Sequence, residues 1–97
     1  MTSEETMRAE ILVSGRVQGV GFRRFARNAA DRFGVDCNPI NLRDGRVFVL
    51  AEGRREALEL LINELKKGPA FARVEDVDVT FTEALGNVYE LSRDNIL

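Results

Sequence analysis

Residues 14–24, SGRVQGVGFRR, combine glycines with arginines at a point where an extended pattern gives way to a helical one. Glycines let the backbone come close to a ligand, and the start of a helix leaves unpaired amide N–H groups with partial positive charge. Such a turn can bind an anion. Arg16, Arg23 and Arg24 crowd this end, where the helix dipole disfavours each cation by ~0.3–1 kcal/mol. We therefore predict a local anion site, with Arg23 as its best-placed side chain because its planar guanidinium can bind two oxygens at once.

The same residues allow a plainer interpretation, in which the glycines only make a tight turn and the arginines are only solvated. Two familiar phosphate motifs do not match. A P-loop requires a Lys-Ser/Thr pair, and the dinucleotide fingerprint requires a small residue where Arg24 stands. With a net charge of −2 and a pI near 5.2, the chain has no global attraction for nucleic acid or an anionic membrane.

The composition predicts a single globular domain, since the 97 residues are 44% hydrophobic and 31% charged. Cys37 is the only cysteine and histidine is absent, so we expect no disulfide, no zinc cluster and no cofactor. No stretch approaches the ~20 apolar residues that cross a bilayer, and residues 1–7 are polar. We expect a cytoplasmic protein in which residues 1–7 form a flexible segment.

The elements that would position the loop follow from changes in hydrophobic period. Helices are predicted over residues 22–33 and 56–67, and strands over residues 8–14, 35–42, 46–52, 74–82 and, as a short final strand, 88–91. Asp44-Gly45 signals a hairpin turn, and Pro39 restricts its strand to a sheet edge or a bulge. This order predicts an α+β split βαβ sandwich, an antiparallel sheet with two helices packed on one face.

Residues 15–23, GRVQGVGFR, closely resemble the signature of the acylphosphatase family. Residues 41–47, NLRDGRV, and residues 72–74 are similar to further stretches of that family, and the similarity runs over residues 8–93. The resemblance implies a ferredoxin-like fold and a single acylphosphatase-like domain over residues 8–94. It also implies hydrolysis of acyl phosphates to a carboxylate and inorganic phosphate by direct water attack.

Individual roles follow from the same resemblance. Arg23 would bind the phosphoryl group and Asn41 would orient the attacking water. Parallel first and second strands would bring the end of the second strand to the side of the loop, where Asn41 could face it. The remaining loop residues would form the phosphate-binding loop: Gly15, Arg16, Val17, Gln18, Gly19, Val20 and Gly21. We expect a monomer that needs no metal and that binds only a small-molecule acyl phosphate and inorganic phosphate, not nucleic acid or membrane.

Residues 37–40 depart from the family, which usually has glycine, an aromatic residue and valine in the run before its asparagine. Pro39 could bend the strand and turn Asn41 away, leaving a catalytically weakened phosphate-binding module on the same fold. Asn41 could also be an Asx-type turn residue.

Two unrelated functions are less consistent with the sequence. Cys37 and Arg43 have the Cys-x5-Arg spacing of thiol phosphatases, but that chemistry needs a loop that leads into a helix, and here a hairpin follows. RNA binding would need several exposed aromatic residues on the third strand, where Phe48 stands alone.

Overall fold

The computed structural model describes residues 5–95, which form four strands and two helices around one sheet. The elements are β1 (Thr6–Arg16), α1 (Phe22–Phe33), β2 (Asp36–Asn41), β3 (Val47–Arg54), α2 (Arg55–Lys67) and β4 (Arg73–Glu83). The strand order is β2-β3-β1-β4, and every neighbouring pair is antiparallel. The predicted α+β, ferredoxin-like fold is confirmed. β1 and β2 both pair antiparallel with β3, so they run parallel to each other. Their C-terminal ends therefore lie on the same side of the molecule.

The core lies between one face of the sheet and the two helices. Alternate residues of β1 point into it, so that Ala9, Ile11 and Val13 are fully buried. Each helix contributes the stripe that its apolar period predicts, listed here for α1 and then α2: Phe22, Ala26, Ala29 and Ala30; Leu58, Leu61, Ile62 and Leu65. Burial of one such leucine side chain contributes about 1.5–3 kcal/mol relative to leaving it exposed.

The chain ends differ from the predicted boundaries. β1 begins at Thr6, because Thr6 and Met7 pair with Arg54 and Gly53 of β3. Of the remaining predicted flexible segment, Glu5 has no regular secondary structure, and residues 1–4 lie outside the described residues.

The prediction of a final strand over residues 88–91 is wrong. Val88–Glu90 is a single 3-10 turn, and a second one covers Arg93–Asn95. The carbonyls of Val88 and Leu91 accept hydrogen bonds from a side chain of β2, Asn38, and Val88 is buried. A short segment with apolar residues can therefore pack on a sheet without joining its ladder. Neither α1 nor α2, the helices of the described chain, is long and apolar enough to cross a membrane.

Candidate active site

β1 leads into the glycine-rich loop and is irregular near its end. It ends at Arg16 rather than at the predicted residue 14. The register with β4 shifts between Ser14 and Gly15. Gly15 has a φ of 122°, and a Cβ there would lie 2.1 Å from the carbonyl oxygen of Arg73. Gly15 is thus required by the close approach of β4, and it shapes the strand end instead of lining the site.

The loop itself is held open by two glycines with left-handed backbone, Gly19 at φ 74° and Gly21 at φ 80°. Gly21 is the N-cap residue of α1, and its carbonyl accepts a hydrogen bond of 3.0 Å from the amide of Phe25. Between residues 5 and 95, nothing accepts a hydrogen bond from the amides of residues 18–21. The first turn of α1 carries no acidic residue either. These amides and the helix dipole form a positively polarised cradle.

A pocket of about 240 Å³ lies over this cradle and joins it to the end of β2. It brings together residues of the loop, of α1 and of β2: Val17, Gly19, Gly21, Phe22, Arg23, Arg24, Arg27 and Asn41. The two residues predicted to carry the chemistry, Arg23 and Asn41, therefore line the same pocket. They meet because β1 and β2 run parallel, which puts the C-terminal ends of the two strands on the same side of the molecule.

Asn41, the last residue of β2, has a buried side-chain oxygen. Its Oδ1 accepts no hydrogen bond from any described residue. The Asx-type turn that Asn41 could have made is made by Asp44 instead, whose Oδ1 accepts a 3.1 Å hydrogen bond from the amide of Arg46. An unsatisfied buried polar atom costs about 1–3 kcal/mol. The Asn41 oxygen is thus an acceptor that no described residue uses.

Gln18 has a different place from the rest of the loop. Its Nε2 donates hydrogen bonds of 2.8 Å to the carbonyl of Leu42 and 2.9 Å to that of Arg46. Both acceptors lie in the hairpin that follows Asn41, so Gln18 links the loop to that hairpin. Arg16 and Val20, like Gln18, do not line the pocket.

Three arginines of α1 line the pocket, and sequence reasoning missed one of them. Arg27 stands one helical turn after Arg23, and this spacing of four residues was the signal that could have found it. Arg23, Arg24 and Arg27 form no ion pair with any carboxylate among residues 5–95. The pocket therefore holds an excess of positive charge in a chain that is acidic overall.

The thiol of Cys37 is unsuited to nucleophilic chemistry. The side chain is 4% exposed and belongs to the core cluster. Burial raises the pKa of the thiol to about 12, and the opposing charge of Arg27 lowers this pKa only in part. A thiol that stays protonated is a poor nucleophile, and Cys37 does not line the pocket.

Pro39 does not bend β2. The strand pairs with β3 without a shift in register, Pro39 lying opposite Val49 at the sheet edge, as its missing N–H predicts. The amide of Cys37 points away from β3, because it donates a 3.1 Å hydrogen bond to the hydroxyl of Tyr89. Since strand amides alternate in direction, the nitrogen of Pro39 also points away from β3. Proline therefore removes no ladder bond, and Asn41 stays in register with Val47.

No group of three or more His, Cys, Asp or Glu side chains between residues 5 and 95 is arranged to hold a metal ion.

The fold and the pocket define a class of protein: a small ferredoxin-like domain with a glycine-rich loop at a strand-to-helix turn, beside a pocket lined by arginines. The family model described as acylphosphatase matches residues 9–90. The acylphosphatase of Thermus thermophilus is 55% identical over 75 residues, which cover 77% of this chain and 85% of that protein. That of Deinococcus radiodurans is 46% identical over 80 residues, 82% of this chain and 92% of that protein.

A solved structure gives the same result. The crystal structure of acylphosphatase from Bacillus subtilis matches with a TM-score of 0.81 and 40% identity, over 89% of this chain and 96% of that one. The chain belongs to the acylphosphatase family. It is accordingly an enzyme of that family, as the resemblance of its loop implied.

Proposed function

We propose that this chain hydrolyses the carboxyl–phosphate bond of acyl phosphates, with Arg23 and the loop amides holding the phosphoryl group and Asn41 orienting the attacking water. One observation carries the proposal. Asn41, whose buried Oδ1 has no partner among residues 5–95, lines the same pocket as Arg23 and the loop glycines. The names of the relatives in the acylphosphatase family support the choice of substrate.

The phosphoryl group is bound at the cradle. Its oxygens accept hydrogen bonds from the amides of the loop and the guanidinium of Arg23, which lie at the positive end of α1. Phosphoryl transfer depends on positioning and on stabilising the charge of the equatorial oxygens. Donors that are already in place do both, because they need no rearrangement as charge develops.

Asn41 acts on the water. Its Oδ1 accepts a hydrogen bond from the water and directs the lone pair of the water towards phosphorus. The new P–O bond forms as the bond to the acyl oxygen breaks, and the electron pair leaves with the carboxylate. The protons of the water pass to phosphate and solvent. A carboxylate is a stable anion that needs no general acid, which agrees with a chain that contains no histidine.

The remaining features of the proposal concern the setting of the reaction. The catalytic unit is the domain of residues 8–94, which acts as a monomer in the cytoplasm on small-molecule acyl phosphates and releases inorganic phosphate. It needs no metal and no cofactor, and it binds neither nucleic acid nor membrane. Arg24 and Arg27 attract the anionic substrate by long-range charge.

Hydrolysis of benzoyl phosphate by the purified chain, with and without EDTA, tests the reaction. We expect turnover in both conditions and competitive inhibition by inorganic phosphate, because product and substrate share one cradle. Absence of turnover in folded protein would remove the enzymatic proposal. Loss of activity with EDTA would remove its metal-free form.

The role of the water-orienting residue has a separate test. We expect Asn41→Ala to lower kcat by about 100-fold, as loss of one preorganised polar group does, with little change in phosphate affinity. Cys37→Ser is the matched control on the same strand and should retain wild-type kcat. An inactive Cys37→Ser enzyme, or wild type inactivated by iodoacetamide with protection by phosphate, would favour a thiol mechanism. If wild type binds phosphate but turns over slowly, and Asn41→Ala changes nothing, the chain is a phosphate-binding module.

A further inference from the structure

The strand that carries Asn41 has a strand neighbour on one side only. β2 is six residues long and lies at the edge of the sheet, where β3 is its sole pairing partner in the described sheet. The loop that bears the cradle leaves β1, on the other side of β3. The two halves of the site are thus separated by one strand, and a short edge strand frays more easily than a central one.

Residues 84–95, the C-terminal segment, cross the face of the sheet opposite the helices. The segment begins at a buried carboxylate, since Glu52 Oε2 accepts a 2.7 Å hydrogen bond from the amide of Leu85, and Oε1 accepts one of 2.9 Å from that of Gly86. Glu52 is also paired with Arg8 Nε at 2.8 Å, and Arg8 Nη2 donates to Asn87 Oδ1. One end of the segment is therefore fixed to the two central strands, β1 and β3.

The segment then reaches β2, where Asn38 holds it. The Nδ2 of Asn38 donates hydrogen bonds of 2.8 Å to the carbonyl of Val88 and 3.0 Å to that of Leu91. Beside it, the Cys37 amide donates to the hydroxyl of Tyr89. Val88 is 3% exposed and lies outside the core cluster formed with the helices, so the segment buries an apolar residue of its own on this face.

Successive side chains of β2 point to opposite faces, which places Asn38 and Asn41 on opposite sides of the same short strand. Asn41 lies on the helix side and lines the pocket with Arg23, whereas Asn38 bonds the C-terminal segment. The strand is thereby held from both faces. We propose that Asn38 is a positioning residue, which fixes β2 against the C-terminal segment and so keeps the Asn41 oxygen aimed at the water. The proposal rests on the function proposed for Asn41.

The test compares kcat with phosphate affinity. Asn38→Ala removes both side-chain bonds, and we expect kcat for benzoyl phosphate to fall about tenfold, since displacement of a reacting group by a fraction of an ångström has effects of this order. The inhibition constant for phosphate should stay within about twofold of wild type, because the cradle is on the other strand. Asp94→Ala is the control. It cuts only the exposed Arg43–Asp94 pair of the same segment and should leave kcat unchanged.

A double-mutant cycle separates positioning from general destabilisation. If Asn38 acts through Asn41, Asn38→Ala lowers kcat in the wild-type background and has no further effect in Asn41→Ala. The same fall in both backgrounds, or unchanged kcat in folded Asn38→Ala, would overturn the proposal. Asn41→Ala with wild-type kcat would overturn the role of Asn41 itself, and with it this inference.

A milder variant keeps the proposal testable if Asn38→Ala does not fold. Tyr89→Phe removes only the hydroxyl that accepts from the Cys37 amide, on a side chain that is 66% exposed. We expect a fall in kcat of about threefold, roughly the loss of one weak hydrogen bond, with phosphate inhibition unchanged. Wild-type kcat in Tyr89→Phe would then count against the proposal.

Discussion

The N-termini of the two helices both carry arginine, but only that of α2 has acidic residues to balance it. α2 begins with Glu56 in its first turn and ends with Lys66 and Lys67, and Arg55 forms a 2.9 Å ion pair with Glu59. α1 begins after a glycine and has no acidic residue in its first turn. Its second residue is Arg23. Neither N-cap residue makes a side-chain capping bond.

The difference shows where the chain has left charge uncompensated. α2 places acids at the positive end of its dipole and bases at the negative end, which stabilises the helix without a ligand. α1 leaves its first-turn amides and three arginines facing a pocket. A helix start that is unfavourable by itself becomes favourable when an anion binds. The contrast between the two helices, more than either helix alone, supports the phosphate site proposed at the start of α1.

The largest effect is expected when the arginine at the start of α1 is removed, and none is expected for the arginine at the start of α2. Arg23→Ala should lower kcat/KM for benzoyl phosphate by about 10²–10³-fold or more, because a charge-assisted contact to the phosphoryl group tightens in the transition state. Arg23→Lys should also be poor, since the planar fork is lost. Arg55→Ala removes an arginine from the first residue of α2 and should keep wild-type kcat/KM. Near-normal kinetics in Arg23→Ala would show that another arginine binds the phosphate.

An intermediate effect is expected on thermal unfolding in phosphate. At a phosphate concentration of about ten times Kd, binding to the native state adds about 1.4 kcal/mol, which raises Tm of a domain of this size by roughly 6–11 °C. Arg55→Ala should show the same shift in scanning calorimetry, and Arg23→Ala should lose most of it. Equal shifts in the two variants would mean that phosphate does not bind at the start of α1.

The smallest effect concerns stability without a ligand. Arg24→Gln removes a cation from the first turn of α1 and should raise the free energy of unfolding by about 0.3–1 kcal/mol. Glu56→Gln removes an anion from the first turn of α2 and should lower it by a similar amount. Urea unfolding at low ionic strength measures both, and added salt should shrink both because it screens exposed charges. If both substitutions changed the free energy of unfolding in the same direction, the proposed difference in charge between the two helix starts would be contradicted.

The sequence determined the local features of the protein. The change of period at Phe22 predicted α1 with its observed bounds. The glycines before Phe22 predicted a turn, and in the structure Gly19 and Gly21 have left-handed backbone there. The resemblance of residues 15–23 to a family signature pointed to the family that the comparisons confirm. Features of this kind depend on residues close together in the chain, whose backbone preferences and apolar spacing act before any distant contact forms.

Only the tertiary structure decided which distant residues meet. Gly15 is required by a carbonyl of β4, and Arg27 lines the pocket, neither of which the loop sequence reveals. Pro39 is harmless because the direction of its nitrogen is set by pairing with β3. The residues predicted as a final strand form a 3-10 turn instead. The carbonyl of Val88 accepts a hydrogen bond from the side chain of Asn38 and not from a neighbouring strand. Strand pairing and burial are fixed jointly by the whole chain, because one residue of slip reverses every side chain of a strand.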